Sequence, residues 1–196
     1  MPKALVDTGS GPWVVRSLAV LAACDPRLVV VGASADQVAA LVPVDVRVVT
    51  NPDYQLGMGS SLRAGLLALI ATSEVTAQSM VTAQNMVSAQ TARRDEPPID
   101  AALVMLVDLP GVGVDVVARV LAAARAGEVR SALLRAAYHG RPGHPVLLGA
   151  DHWVGASAAV TGDRGARDYL SARGARLVEC ADIGSGMDID RPTAPG

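Results

Sequence analysis

Short apolar segments alternate with helical patterns along the chain, and this alternation constrains the fold more than any other feature. Strands are predicted at Leu28–Val31, 46–49, 101–107, 131–137 and Arg176–Glu179, and helical patterns lie between most of them. Such spacing is typical of a parallel sheet with helices on both faces. The segment 101–107 is the most apolar of the five, and we expect it to be a central strand. The sequence therefore predicts an α/β fold in a single domain over residues 1–196.

Composition excludes several classes of function. Hydrophobic residues make up 51% of the 196 residues and charged residues 18%, which indicates an ordered globular protein. Aromatic residues make up 3% and the net charge is -2, so we expect no nucleic-acid partner. No apolar run reaches the roughly 18 residues of a membrane helix, and the two cysteines have no metal-ligand spacing. We expect a cytoplasmic protein with no membrane partner.

One segment stands apart from this pattern. Residues 75–80, 81–86 and 87–90 repeat a six-residue unit that begins VTAQ or VSAQ. Three copies without turn glycines are too few for a solenoid. We interpret residues 75–98 as a low-complexity insertion, which either continues the preceding helix or forms a loose loop.

Two segments at the predicted carboxyl edge of the sheet could carry chemistry, because ligands of parallel sheets bind there. Asp108 follows the most apolar strand, and a carboxylate there suits Mg²⁺, although a turn residue before Pro110 explains it as well. The segment 51–65, NPDYQLGMGSSLRAG, brings Asn51, Gly59, Ser60 and Ser61 to a helix start. Free amides and hydroxyls there can hold a phosphate, a ribose or a base edge. An ordinary capped helix is the alternative.

Further candidates lie near the two ends of the chain and in a turn-rich loop. Asp188 and Asp190 point the same way if the segment is extended, and they either complete a metal site or form a solvated tail. The loop 139–145 carries Arg141, whose guanidinium can form a fork to phosphate, and His144. Lys3 is the only lysine among 17 basic residues. Nothing in the chain favours a nucleophilic triad or a reactive cysteine.

Taken together, these segments resemble the MobA-like nucleotidyltransferases, and in particular the molybdenum cofactor cytidylyltransferase branch. The matching pieces follow in family order: PKAL at 2–5, NPDYQLGMGSSLRAG at 51–65, LVDLP at 106–110, GRPGHPVLL at 140–148, TGDRGARDYL at 161–170 and DIDRP at 188–192. The resemblance implies a Rossmann-like three-layer sandwich with a mostly parallel sheet. It also implies Mg²⁺-dependent transfer of CMP from CTP to a molybdopterin-type phosphate, with release of pyrophosphate.

The resemblance also suggests a role for individual residues. Lys3 and Asp108 become catalytic residues, with Asp108 as the metal-binding aspartate. Asn51, Gly59, Ser60 and Ser61 fall in the segment that binds the nucleotide. The loop with Arg141 and His144 belongs to the acceptor side, and Asp188 or Asp190 to a second metal position. A molybdoenzyme or its chaperone is the protein partner that this branch suggests.

The resemblance departs at the beginning of the chain. The family's first strand and its glycine-rich phosphate loop are expected ahead of PKAL, and neither is in this sequence. Three alternatives therefore stay open: an active cytidylyltransferase, a shortened paralogue that binds nucleotide or cofactor without turnover, and a transferase for a sugar-phosphate or isoprenoid-precursor acceptor.

Overall fold

The computed structural model describes residues 2–83, 98–160 and 162–188, with the backbone alone for 74–83. Six α-helices and six β-strands are found there, together with five short 3₁₀ helices. The helices are α1 (Trp13–Val20), α2 (Ala35–Ala39), α3 (Met58–Ala83), α4 (Val114–Arg125), α5 (Trp153–Ala159) and α6 (Arg167–Ala172). The strands are β1 (Leu28–Val31), β2 (Arg47–Thr50), β3 (Ala101–Val104), β4 (Leu133–Tyr138), β5 (Arg141–Gly149) and β6 (Arg176–Glu179).

The strands form two sheets, and most of them run in the same direction. Strands β1 and β2 form a parallel pair. The larger sheet has the order β3-β5-β4-β6, in which β4 pairs with β6 in parallel and β5 is antiparallel to both β3 and β4. Strands β3, β4 and β6 therefore share one direction. The predicted α/β class and its mostly parallel sheet are confirmed.

Helices cover both faces of the larger sheet, as alternation along each strand requires. In β4, Leu134 and Ala136 pack into one core cluster with α4, while Leu133 packs into a second cluster with α3, α5 and α6. A third cluster joins α1 and α2 to β1. The predicted three-layer arrangement follows from these three clusters.

Two predictions about the larger sheet were wrong in detail. Residues 139–145 were expected to form a loop, but from Arg141 onward they belong to β5, the longest strand described. Strand β3 ends at Val104 and lies at one end of the sheet order instead of at the centre. It is apolar because its alternate side chains enter the clusters on both faces of the sheet, and burial on both faces does not require a strand on both sides.

A large cavity separates the two sheets. It has a volume of about 690 Å³ and is lined by β1, by the whole segment from Ala101 to Val107, and by parts of α1 and α3. Ala102 and Val104 face β5 in the hydrogen-bonded register, which leaves the peptide groups of Ala101 and Leu103 directed away from β5. The peptide group of Val30 is directed away from β2 in the same way. Two sheet edges therefore face one cavity.

The insertion and the ends of the chain are described in part. Helix α3 continues through the first six-residue unit to Ala83, so this part of the repeat extends the helix, and residues 84–97 lie outside the described range. Within that range, no helix combines the length and the apolar character needed to span a bilayer.

Candidate active site

The only lysine and the aspartate after the most apolar segment meet at one end of β3. Lys3 lies in a short 3₁₀ helix, Lys3–Leu5, and its Nζ donates to Oδ2 of Asp108 at 2.6 Å. The Asp108 side chain is 12% exposed and that of Lys3 is 42% exposed, so the carboxylate is the buried partner and the ammonium faces outward. Residues 105 positions apart thus form one ion pair at the edge where the sequence placed the reaction.

The predicted nucleotide-binding residues form a second cluster, organised by Asn51. This residue follows β2 and is only 3% exposed. Its Nδ2 donates to Oγ of Ser60 at 2.8 Å and to Oγ of Ser61 at 3.0 Å, while its Oδ1 accepts from the Asp53 amide at 3.0 Å. Asn51 therefore fixes the turn to the first turn of α3. Buried Gly59 lies in that same helical turn.

Gly57 permits a close contact that the sequence pattern did not reveal. Its φ is +98°, a conformation that favours glycine, and a Cβ there would lie 2.8 Å from the carbonyl carbon of Gly162. The 3₁₀ helix Gly162–Arg164 comes from the TGDRGARDYL piece, with Asp163 against the same glycine. Two separated motifs of the resemblance therefore pack directly against each other.

The carboxyl-terminal segment reaches the same end of the larger sheet. The Ser185 amide donates to the Gly111 carbonyl at 2.9 Å, three residues after Asp108. Asp188 follows and is exposed, whereas Asp190 lies outside the described residues. Among the described residues no three His, Cys, Asp or Glu side chains come together as a metal site. The described part of the predicted metal set is therefore Asp108 with a nearby but exposed Asp188 segment.

The residues present suit a divalent ion that takes most of its ligands from substrate. Mg²⁺ is typically held by one or two carboxylates together with substrate phosphates and water. Asp108 supplies one buried carboxylate at the cavity end, and its contact with an ammonium keeps that carboxylate in the charged form that a cation needs. Asp108 could therefore hold such an ion together with a nucleotide, but the described residues offer no complete cage.

The acceptor-side residues are placed differently from one another. His144 lies in β5, lines the cavity, and has Nδ1 3.4 Å from the Val104 carbonyl. Burial lowers the pKa of His144, with a smaller opposite contribution from that carbonyl. Arg141 is exposed beside the hairpin turn, opposite Tyr138, and is not among the cavity-lining residues. The structure brings His144, but not Arg141, to the cavity.

Tyr138 holds His144 from behind. Its hydroxyl donates to the His144 carbonyl at 2.8 Å, and burial raises the pKa of Tyr138 to about 12, so this donor stays protonated. The side chain of Tyr138 also packs against the chain at Gly186, where a Cβ would collide with the ring. The terminal segment therefore crosses this ring on its way to Asp188.

Two arginines at the cavity escaped the sequence analysis. Arg135 lies in β4 and Arg167 begins α6, and both line the cavity with His144. The signal was present for Arg135, because a charged residue interrupts the apolar strand 131–137. It could not be used from sequence alone, since the side of the strand that faces a cavity depends on the sheet order.

Comparison with known proteins places this site in a family. The model of the MobA-like NTP transferase domain matches residues 1–178. The nicotine blue oxidoreductase of Paenarthrobacter nicotinovorans is 30% identical over 202 residues, which cover 96% of this chain and 83% of that protein. This match therefore extends along nearly the entire chain.

Solved structures agree with this fold. The Rv0371c homologue from Mycobacterium sp. strain JC1 has a TM-score of 0.68 and 23% identity, covering 97% of this chain and 82% of that one. The manganese complex of Rv0371c from Mycobacterium tuberculosis H37Rv has a TM-score of 0.63 and 22% identity, covering 97% and 87%. A 4-diphosphocytidyl-2C-methyl-D-erythritol synthase has a TM-score of 0.60 and 20% identity, covering 98% and 89%.

The family predicted from the ordered motifs is thereby confirmed, and so is its Rossmann-like fold. The family model covers most of the chain and includes Lys3, the segment 51–65, Asp108 and the TGDRGARDYL piece. The family also implies a nucleoside triphosphate as substrate. The chain belongs to the MobA-like NTP transferase domain family and is, by class, a nucleotidyltransferase.

Proposed function

We propose that this chain transfers CMP from CTP to the terminal phosphate of a molybdopterin-type acceptor, with Mg²⁺ as the metal. The observation that carries the proposal is the ion pair between Lys3 and Asp108 at the carboxyl end of the larger sheet. The cluster of Asn51, Ser60 and Ser61 supports it, because Ser61 lines the same cavity as the segment that leads into Asp108. The choice of CTP and acceptor rests on the motif resemblance, and a cytidylyl-transfer enzyme among the structural relatives is in keeping with it.

The chemistry is a displacement at phosphorus. An oxygen of the acceptor phosphate attacks the α-phosphorus of CTP, a new P–O bond forms, and the bond to the β-phosphate breaks as pyrophosphate leaves. The protein's contribution to such a reaction is alignment and charge neutralisation. A divalent metal held by Asp108 would supply Lewis-acid stabilisation of the phosphate oxygens.

Each residue of the site has a distinct part in this scheme. Asp108 anchors the cation and is held in place by Lys3. The Lys3 ammonium is within reach of incoming phosphate because its side chain is partly exposed, and it offsets charge on the departing pyrophosphate. Asn51 holds the two serine hydroxyls at the start of α3, where backbone amides favour an anionic or polar ligand.

Pyrophosphate release tests this function directly. The purified chain is incubated with CTP, Mg²⁺ and a molybdopterin-type phosphate, and parallel reactions replace CTP with GTP or the acceptor with a sugar phosphate. We expect release with CTP and a loss of about 100-fold or more in Asp108→Asn, by analogy with the removal of one transition-state contact elsewhere. Asp115→Asn, an exposed aspartate in the first turn of α4, is the matched control. Equal rates in both variants would remove Asp108 from the mechanism.

Two other functions keep a specific observation in their favour. A redox function is favoured by the 30% identity to nicotine blue oxidoreductase over nearly the whole chain. Oxidation of NADPH in the presence of a quinone-type dye, with no pyrophosphate formed from CTP, would support it. A binding module without turnover is favoured by the small described metal set. Calorimetry that shows Mg²⁺-dependent CTP binding but no product with any acceptor would support that alternative.

A further inference from the structure

One end of the cavity gathers positive charge without a matching carboxylate. Arg135, His144, Arg164 and Arg167 line it there, and of these only Arg164 has an acidic partner among the described residues, Asp168 at 3.3 Å. The two aspartates that line the cavity lie at its other end, next to the beginnings of β1 and β3. This end of the cavity is therefore an uncompensated basic surface within the described part of the chain.

Arg135 is the central member of this group. It lies in β4 opposite Val146 of β5, at the level where β3 ends, and its side chain is directed to the sheet face that α3, α5 and α6 cover. Its Nε is buried and has no hydrogen-bond partner among the described residues. A buried polar atom without a partner is unusual in a folded protein and calls for a specific ligand.

Arg167 approaches from the other side. It is the first residue of α6, and it too makes no ion pair or hydrogen bond with a described side chain. Burial lowers the pKa of Arg135, and the charge of Arg167 lowers it further. The pKa of His144 is lowered by burial and, to smaller extents, by both arginines. The three groups repel one another across one space, and an anion placed there would relieve the repulsion.

We propose that Arg135, Arg167 and His144 form an anion-binding subsite for the phosphoryl group of the acceptor substrate. The inference rests on the proposed nucleotidyl transfer for the identity of the ligand as an acceptor, and on geometry for the site itself. His144 lies one step along β5 from the level of Arg135 toward the end of β3 that leads to Asp108. A phosphate held here therefore lies on the route toward the metal and nucleotide end of the cavity.

A phosphate at this position suits the guanidinium groups. An arginine offers several N–H donors in a planar fork, and two arginines from different elements can hold one phosphate from two directions. The neutral imidazole of His144 adds a donor without adding to the repulsion. The exposed Arg141, which the sequence analysis favoured, has no part in this subsite.

Calorimetric titration with inorganic phosphate tests the subsite, and titration with CTP and Mg²⁺ runs in parallel. Arg135→Gln and Arg167→Gln remove one cation each, and Arg173→Gln is the matched control because Arg173 lies on the ring of Tyr169 at the far end of α6. We expect the phosphate Kd to rise about tenfold or more in each of the first two variants, as for a lost hydrogen bond to a charged group. We expect the CTP affinity to change less than about twofold.

Thermal unfolding separates a binding role from a structural one. Since Arg135 is unpaired and repelled in the free protein, Arg135→Gln should unfold at the same temperature or higher without phosphate, and should lose the stabilisation that phosphate gives to the parent protein. Unchanged phosphate affinity in both variants overturns the subsite. Equal loss of phosphate and CTP affinity overturns its assignment to the acceptor. Selective loss of phosphate binding with no pyrophosphate release from any substrate pair leaves the subsite standing and removes the proposed function instead.

Discussion

Truncation of Asn51 should weaken the fold and the nucleotide affinity together. Asn51 is 3% exposed and makes three hydrogen bonds, two donated to the serine hydroxyls and one accepted from the Asp53 amide. At about 1 kcal/mol for each bond, Asn51→Ala should lower the free energy of unfolding by about 3 kcal/mol. For a chain of this length, that change lowers the Tm by about 6–12 °C.

The assay combines thermal unfolding with CTP titration. Loss of Asn51 releases the start of α3 from the turn that follows β2, so we expect the CTP Kd to rise about tenfold or more at a temperature where the variant remains folded. Gln55→Ala is the matched control, because Gln55 is an exposed residue in the same connection. Its Tm should stay within about 2 °C of the parent value.

Two results would refute this reasoning. If Asn51→Ala loses CTP affinity while its Tm is unchanged, Asn51 contacts the ligand directly and does not organise the turn. If its Tm falls and the CTP affinity of the folded variant is unchanged, the serine cluster lies outside the nucleotide site. Either result would require another set of residues for the base and ribose.

Three further predictions follow from the same geometry. Asp108→Asn should change stability by less than about 1 kcal/mol, because its partner Lys3 is partly exposed, while pyrophosphate release falls about 100-fold or more; a parallel loss of Tm and rate would make the ion pair structural. Gly57→Ala should cost about 1–3 kcal/mol in urea unfolding, since φ is +98° and ψ is 175° there; an unchanged midpoint would contradict the strained turn. Hydrogen exchange should be slower for the Ala102 amide than for the Leu103 amide, and equal protection would mean that the open edge of β3 is paired in solution.

Local patterns predicted the fold well where one element decides its own structure. Leu28–Val31 and Arg176–Glu179 are strands with the predicted ends, and the helix after Gly59 is present and longer than expected. The failures concern the larger sheet. A turn-rich composition concealed β5, because Pro142, Gly143 and Pro145 weaken strand propensity while the pairing with β4 and β3 stabilises the strand.

The site was predictable where it depended on strand ends. Asp108 and Asn51 follow apolar strands, and each lies where the edge rule predicts. The pairing of Lys3 with Asp108 needed the family resemblance, because no local pattern joins residues 105 positions apart. Arg135 needed the structure itself, since only the order of strands decides whether an arginine in a strand meets solvent, a partner or a cavity.

The net charge of the whole chain conceals the field at this site. The sequence carries a formal charge of -2, which alone would disfavour a substrate with several phosphates. At the cavity end, however, Lys3, Arg135 and Arg167 bring three positive charges against the single described carboxylate of Asp108, and His144 adds no negative charge. Because burial reduces the screening of such groups, this local excess governs what binds there. Two phosphorylated reactants repel each other as they approach, and a pocket with this balance of charge is suited to hold both at once.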